Sequence, residues 1–228
     1  MGILSMVSMA TKRKLAAAVY RRPSEMVAML NAHASLAQWL KTQDAPRFDD
    51  RLKMHSFVAD RVGQQPIDYL EFGVFQGESF RHWLSCNKDP DSRFVGFDTF
   101  TGLPEDWGDY LGRGHFSTEG QTPQIDDARG SFRKGLFQET LEPFLESFTG
   151  GRQLVIHNDS DLYSSTLYTL AKLDYLIKPG TILIFDEFAS PLHEYRAWND
   201  YCGAFGREAK LIAYTDEFAT QAAFEFTR

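Results

Sequence analysis

Two apolar runs in the second half of the chain are each followed by acidic residues. The run QLVIH precedes Asp159 and Asp161, and the run TILIF precedes Asp186 and Glu187. If both runs are neighbouring parallel strands, their carboxyl ends open onto one face and bring these carboxylates together. Such a group either raises the proton affinity of its members or shares a cation, and an all-oxygen set favours magnesium or calcium. Asp161 also precedes a helical pattern, and we expect it to cap that helix.

A glycine-containing turn follows an earlier apolar run, within the string EFGVFQGES. It contains Glu71, Gly73, Gly77 and Ser79, and its glycines lie where the chain must turn sharply and pass close to a ligand. The spacing is G-x-x-x-G instead of the G-x-G-x-x-G that binds a dinucleotide pyrophosphate. Glu71 would repel a pyrophosphate but can accept hydrogen bonds from a cationic amino-acid ligand. The turn therefore favours a cationic ligand over a dinucleotide.

Asp98 ends the next apolar run, in the string VGFDTF. A carboxylate at the end of a second parallel strand can accept both ribose hydroxyls of an adenosine ligand. The alternative is that Asp98 only caps a turn and Gly73 only satisfies a tight bend. Their order and their positions at strand ends favour the ligand interpretation.

A long segment from Leu103 to Asp127 is predicted to be a loop that faces a substrate. Within it, His115 could act as a general base or could be an ordinary exposed residue, and both alternatives stay open. Its aromatic residues could stack on an acceptor or anchor the loop to the core; they are Trp107, Tyr110 and Phe116. His157 is expected to be a core or supporting residue. His193 could lie at the rim of the pocket, but we expect it to be a surface residue.

Short apolar runs alternate with helix-length stretches after Pro66, which predicts a parallel sheet with crossover helices. Strands are predicted at 67–72, 93–97, 130–135, 153–157, 181–185, 210–215 and 222–227. Helices are predicted at 79–86, 137–148, 164–177 and 191–205. The last two strands are separated by a short turn and should form an antiparallel pair at the far edge of the sheet. The fold class is thus a Rossmann-like α/β domain.

Residues 1–62 are predicted to be a helical N-terminal extension, and residues 63–228 a single α/β domain. A break between two helices is expected near Pro46. The extension is expected to cover a pocket as a lid or to mediate a homodimer; one sequence does not separate these alternatives.

Composition excludes several classes of protein. The formal charge is −7, from 31 acidic and 24 basic residues, so the electrostatic footprint of a nucleic-acid-binding surface is absent from the sequence. No stretch approaches the roughly 20 apolar residues of a membrane span. Two cysteines without a CxxC pair indicate neither disulfides nor a zinc site, and we expect a reducing, cytoplasmic setting. Nucleophile-elbow and P-loop motifs are absent from the sequence, which argues against hydrolases and nucleoside triphosphatases.

Four strings together resemble one family. LEFGVFQGES, VGFDTFTGLPEDW, DSDLYSST and IKPGTILIFDEF are similar to the macrocin O-methyltransferases, sugar O-methyltransferases of antibiotic biosynthesis. The resemblance covers about residues 68–187. It implies the class I S-adenosylmethionine-dependent methyltransferase fold, which has a mostly parallel seven-stranded sheet, helices on both faces and an antiparallel last strand.

The resemblance also implies roles for individual residues. Glu71, Gly73, Gly77 and Ser79 would line the methionine end of S-adenosylmethionine. Asp98 would bind its ribose, with Thr99 and Phe100 close by, and Gly135 and Phe137 would lie near the adenine. The family holds a magnesium ion with one aspartate and a consecutive acidic pair, which carry over to Asp159, Asp186 and Glu187. Glu187 departs from the family's second aspartate, and this substitution puts the metal site in question.

The function expected from these observations is methylation of a hydroxyl group on a small glycosyl or polyhydroxylated acceptor. In the expected mechanism, the cation lowers the pKa of the acceptor hydroxyl and Asp159 takes its proton. One alternative is a metal-dependent methyltransferase of catechol-like phenols. Another is a non-catalytic protein of the same fold that binds S-adenosylmethionine.

Overall fold

The computed structural model describes residues 25–107 and 111–228, together with positions 8, 10–11 and 13–14. Part of the predicted N-terminal extension and the loop residue Tyr110 lie outside the described residues. Within the described residues, none of the helices combines the length and the apolar composition that crossing a bilayer requires.

Between Glu25 and the first long strand, the described residues form two helices and a very short strand. Helix α1 spans Glu25–Leu40, strand β1 spans Arg47–Phe48 and helix α2 spans Arg51–Val62. The carboxylate of Asp50 accepts a hydrogen bond from the backbone N–H of Lys53 at 2.9 Å, which caps the start of α2. The predicted break near Pro46 is confirmed, because β1 separates the two helices.

The remaining elements alternate as the apolar runs predict. The strands are β2 Ile67–Phe72, β3 Arg93–Asp98, β4 Gly130–Lys134, β5 Gln153–Asn158, β6 Ile182–Phe185, β7 Ala209–Thr215 and β8 Ala222–Phe226. The helices are α3 Glu78–Cys86, α4 Phe137–Ser147, α5 Tyr163–Leu173 and α6 Glu194–Phe205, and a short 3₁₀ helix at Asp174–Leu176 extends α5. Each predicted element is present, with bounds shifted by a few residues at most.

The strands form one sheet in the order β1-β7-β8-β6-β5-β2-β3-β4. Neighbouring strands are parallel except for β8, which runs antiparallel to both β6 and β7. The Rossmann-like prediction and the antiparallel pair at the end of the chain are confirmed. The strand count of seven is wrong, because two residues of the N-terminal segment pair with β7 and make an eighth strand. A two-residue strand of Arg and Phe has no periodicity from which it could be predicted.

Apolar side chains cover both faces of the sheet. On β2, Leu70 and Phe72 pack into one core and Ile67 and Tyr69 into the other, as alternating residues of a strand must. Every residue of β2 is buried, which explains why a central parallel strand reads as a nearly continuous apolar run.

The order of the strands reverses beside β2. The chain moves outward from β2 through β3 to β4, and then returns to the other side of β2 with β5 and β6. Crevices at such a reversal, outside the carboxyl ends of the strands, are where open α/β sheets bind their ligands.

Candidate functional site

A cavity of about 970 Å³ lies at this end of the sheet. Its walls come from the turn after β2, the loop after β3, the start of α4 and the segments after β5 and β6. Eight acidic residues are among the described residues that line it: Glu78, Asp98, Glu105, Glu139, Asp159, Asp161, Asp186 and Glu187. Arg51 and Arg81 are the basic ones. The excess of carboxylates gives the cavity an electrostatic preference for cationic ligands.

Gly73 allows two loops to approach through their backbones. It has φ +91°, and a Cβ atom built on it would lie 1.7 Å from the carbonyl oxygen of Asp159. The N–H of Asp159 donates to the carbonyl of Phe72 at 2.8 Å, which ties the end of β5 to the end of β2. The first glycine of the motif is therefore required by packing against Asp159, whatever ligand the turn binds.

Gly77 ends the turn and starts helix α3. It has φ +76°, its N–H donates to the carbonyl of Val74 at 2.8 Å, and it precedes the first residue of the helix. Gly73, Gly77 and Ser79 all line the cavity. The turn thus follows the cavity wall, as the glycine spacing predicts.

Asp98 fixes this turn from the neighbouring strand. Its Oδ2 accepts hydrogen bonds from the N–H groups of Val74 and Phe75, both at 2.8 Å, and its Oδ1 accepts from Phe100 N at 2.7 Å. Asp98 also lines the cavity. A carboxylate has about four lone-pair sites, so three backbone donors leave little further capacity for a ligand. Turn capping, the alternative that the sequence left open, is present in the structure.

Glu71 is fully buried beneath the cavity. Its carboxylate accepts from the Tyr69 hydroxyl at 2.5 Å and from the Ser79 hydroxyl at 2.8 Å, and its Oε2 lies 3.5 Å from Nδ1 of His157. Glu71 is outside the cavity lining. It holds Ser79 from below, so any effect on a ligand would pass through that residue.

The other residues predicted to bind a cofactor divide between the wall and its surroundings. Thr99 and Phe137 line the cavity. Phe100 is fully buried, and Gly135 lies outside the lining. His115 is exposed and stacks edge-to-face on Phe116, with the ring centroids 4.5 Å apart, outside the described lining.

Four carboxylates form what we call the acidic floor: Asp159, Asp161, Asp186 and Glu187. Burial, followed by repulsion from Asp186, raises the pKa of Asp159 well above its usual value. The same two causes, in the same order, raise the pKa of Asp161 to about 7 and that of Glu187 to about 7. Sharing a cation would relieve this repulsion, and the donor set fits the magnesium ion that the sequence predicts.

The interpretation of Asp161 as a helix cap is wrong. The residue preceding α5 is Leu162, and no side chain caps the helix there. Asp161 instead adopts φ +59° and lines the cavity. It therefore adds its charge to the acidic floor.

Glu194 shapes the segment that carries Asp186 and Glu187, and no sequence pattern identified it beforehand. This fully buried residue accepts a hydrogen bond from Asn158 Nδ2 at 2.6 Å and another from the N–H of Glu187 at 2.9 Å. Glu194 thus links the ends of β5 and β6. Its position at the start of α6 gave no signal in the sequence, because a first-turn glutamate is ordinary in helices.

Arg51, at the start of α2, is a second residue that sequence reasoning missed. Its Nη1 lies 3.3 Å from Oδ1 of Asp186, and its Nη2 donates to the carboxylate of Glu78. The pairing spans 135 positions in the sequence, so no local pattern could reveal it.

Asp186 of the acidic floor also belongs to a buried group with His55 and His157, and the ligand-type atoms of the three residues all lie within 4.8 Å of one another. The indole Nε1 of Trp83, which can only donate, donates to Nδ1 of His55 at 2.9 Å. Burial lowers the pKa of His55 well below its usual value, so the ring is neutral and its proton is on Nε2. Nε2 of His55 has no hydrogen-bond partner among the described residues, and a protonated ring nitrogen does not suit a metal ligand.

The fold and the site define a class of protein, a Rossmann-like α/β protein with a ligand cavity at the point of strand reversal. Residues 70–188 match the model of a family described as a methyltransferase domain. The chain belongs to this family.

A curated relative supports the same grouping. The chain is 31% identical over 164 residues to 8-demethyl-8-(2,3-dimethoxy-alpha-L-rhamnosyl)-tetracenomycin-C 4'-O-methyltransferase of Streptomyces olivaceus, which covers 63% of this chain and 62% of that protein. The match therefore spans less than two thirds of the relative.

Solved structures share the fold. The calicheamicin methyltransferase CalS11 superposes with a TM-score of 0.59 at 21% identity, covering 86% of this chain and 91% of its own. The O-methyltransferase NovP superposes with a TM-score of 0.55 at 20% identity, and the match covers 90% of this chain and 100% of the NovP chain.

Proposed function

We propose that this protein is an S-adenosylmethionine-dependent O-methyltransferase that acts on a hydroxyl group of a small glycosyl or polyhydroxylated molecule. The observation that carries the proposal is the cavity at the strand reversal. Eight carboxylates, two guanidinium groups and the turn of G-x-x-x-G spacing line this cavity. A ligand with a sulfonium and an ammonium group matches this charge, whereas a pyrophosphate does not.

The cofactor is proposed to lie along the turn after β2. Gly73, Gly77 and Ser79 would contact its methionine end, and Thr99 and Phe137 would contact its adenosine end. Asp98 would act by fixing the turn through its three backbone hydrogen bonds, with its remaining lone pair toward the ribose. When bound, S-adenosylmethionine supplies an electrophilic methyl group.

The acceptor hydroxyl is proposed to lie over the acidic floor. Asp159, Asp186 and Glu187 would hold a divalent cation, with magnesium as the predicted ion, and a bound cation lowers the pKa of a hydroxyl group that contacts it. Asp159 is then the proposed acceptor of the hydroxyl proton. His115 is the weaker candidate for this role, because it is exposed and outside the described lining.

The resemblance to macrocin O-methyltransferases supports a sugar acceptor. So does the Streptomyces relative, which is named as the 4'-O-methyltransferase of a rhamnosyl-tetracenomycin. Aromatic lining residues favour the second candidate, a phenolic acceptor. Phe75 and Phe116 pack edge-to-face with centroids 5.6 Å apart, and Trp107 lines the same cavity. Such rings can equally stack on an aromatic group attached to a sugar.

We also propose a role for the N-terminal helices, a type of acceptor and a cellular setting. Arg51 lies on α2 and lines the cavity. This position supports the alternative in which the N-terminal helices cover the cavity, and not the one in which they mediate a homodimer. The charge balance supports a small-molecule acceptor instead of a nucleic acid. Cysteine usage is the basis for a proposed reducing, cytoplasmic setting.

The test is S-adenosylhomocysteine release, measured by mass spectrometry, with rhamnosides, other glycosides and catechols offered in parallel. Each reaction is run with magnesium and with EDTA. We expect S-adenosylhomocysteine release with a glycoside. We also expect that EDTA treatment lowers this activity and that added magnesium restores it. Product with catechols alone would favour the second candidate, whereas cofactor binding without product from any acceptor would indicate a non-catalytic binding protein.

A further inference from the structure

Arg51 connects the acidic floor to the helix that follows the glycine turn. Its Nη1 lies 3.3 Å from Oδ1 of Asp186, just after β6, and its Nη2 donates to Glu78, the first residue of α3. The guanidinium thus bridges the side of the cavity proposed for the acceptor and the side proposed for the cofactor. About a third of its side chain is exposed, so it remains accessible from the cavity.

Arg81, the other basic residue among the described residues that line the cavity, donates to backbone carbonyl groups and not to the acidic floor. Nη1 of Arg81 donates to the carbonyl oxygens of Gln76 and Gly77 at 2.7 and 3.2 Å. Arg51 is therefore the guanidinium that faces the acidic floor. A ligand-type ring atom of His55, one helical turn later on α2, lies within 4.8 Å of a carboxylate oxygen of the same Asp186.

We propose that Arg51 is a positioning residue for methyl transfer, because it holds Asp186 by Oδ1 and leaves Oδ2 for a cation or the acceptor hydroxyl. The inference rests on the proposed function. It also makes α2 a necessary part of the site, since the helix supplies the group that orients a carboxylate of the floor.

Removal of the Arg51 guanidinium should have effects of opposite sign on two measurable quantities. A guanidinium this close competes with a bound cation for the charge of Asp186, so its removal should tighten cation binding. Its removal also lets the carboxylate rotate, and a misplacement of about 1 Å can lower a rate about 10²-fold. A residue that only supported the fold would lower cation affinity and rate together.

The experiment compares Arg51→Met, which keeps the aliphatic stem, with Arg61→Met on the same helix. Arg61 is the matched control because it pairs with a carboxylate, that of Glu225, at 2.6 Å on the surface. After circular dichroism confirms folding, Mn²⁺ binding is measured by calorimetry, and kcat is measured with S-adenosylmethionine and a rhamnoside. For Arg51→Met we expect several-fold tighter Mn²⁺ binding and a kcat lower by about 10- to 100-fold, whereas Arg61→Met should match the wild type.

A double-mutant cycle with Asp186→Asn tests whether Arg51 acts through Asp186. We expect Arg51→Met to change kcat less than twofold in the Asp186→Asn background. Full additivity, a kcat of Arg51→Met within twofold of the wild type, or weaker Mn²⁺ binding by this variant would each overturn the inference. Failure of the proposed function differs: the wild type would release no S-adenosylhomocysteine, while Mn²⁺ binding would still tighten in Arg51→Met.

Discussion

Gly73 and Asp159 pack against each other through their backbones. A Cβ atom built on Gly73 would lie only 1.7 Å from the carbonyl oxygen of Asp159, so this oxygen fills the space that a side chain would need. This contact brings the turn proposed for the cofactor against the loop proposed for the acceptor. Both the glycine motif and the acidic floor depend on it.

Replacement of Gly73 by alanine is therefore expected to destabilise the fold more than backbone strain alone would. Gly180 is the matched control, because it has nearly the same φ, +90°, and a Cβ added to it would meet nothing within 4 Å. We expect Gly180→Ala to cost about 1–2 kcal/mol, and Gly73→Ala to cost more than about 4 kcal/mol or to prevent folding. Urea unfolding measures both; equal losses would show that the contact is unimportant.

Asp98→Asn should weaken both the fold and cofactor binding. The amide keeps one acceptor oxygen and turns an NH₂ group toward backbone N–H donors, so at least one donor loses its partner, at a cost of about 1–3 kcal/mol. The loosened turn should then raise the dissociation constant of S-adenosylmethionine in calorimetry. Asp89→Asn is the control, since Asp89 Oδ1 accepts only the N–H of Asp91 in a turn outside the cavity lining. Unchanged cofactor binding by Asp98→Asn would remove Asp98 from the proposed site.

Arg129 joins the end of α3 to the start of β4. Its guanidinium donates to Asp127 and to the carbonyl oxygens of Leu84, Asn87 and Asp89. Arg129→Met should lower the free energy of unfolding by about 2 kcal/mol at neutral pH, because these acceptors lose their donor.

The same pair predicts a pH dependence. The hydrogen bond from Arg129 lowers the pKa of Asp127 below its unfolded value. The stabilisation from the pair is thus complete above that unfolded pKa, about 3.9, and is lost as the pH falls through the lower folded pKa. The difference in unfolding free energy between the wild type and Arg129→Met should shrink below about pH 4. A difference that stays constant down to pH 2.5 would contradict the pairing.

Asp159→Asn should weaken Mn²⁺ binding at least about tenfold, because it removes a charged oxygen ligand from the proposed cation site. Asp200→Asn is the control, since this exposed carboxylate lies on α6, outside the cavity lining. Calorimetry with Mn²⁺ measures both variants. Equal affinities of the wild type and Asp159→Asn would exclude Asp159 as a ligand.

Features with a local signal could be predicted from the sequence. The buried parallel strands read as apolar runs, and the acidic residues at their ends lie at one edge of the sheet as expected. Arg51 and Glu194 could not be predicted, because Arg51 pairs with Asp186 and Glu194 with Asn158, which are distant in sequence and meet only once the sheet is formed. Glu71 shows a different limit: its partners Tyr69 and Ser79 are close in sequence, but its position in the motif does not reveal that they already bind its carboxylate beneath the cavity.

The most direct test of the central claim is calorimetric titration of S-adenosylmethionine into the purified protein, with NADH as the comparison ligand. We predict one site per chain with a dissociation constant between about 1 μM and 1 mM, the usual range for enzyme substrates, and no heat of binding with NADH. No binding of S-adenosylmethionine, or tighter binding of NADH, would contradict the proposed function.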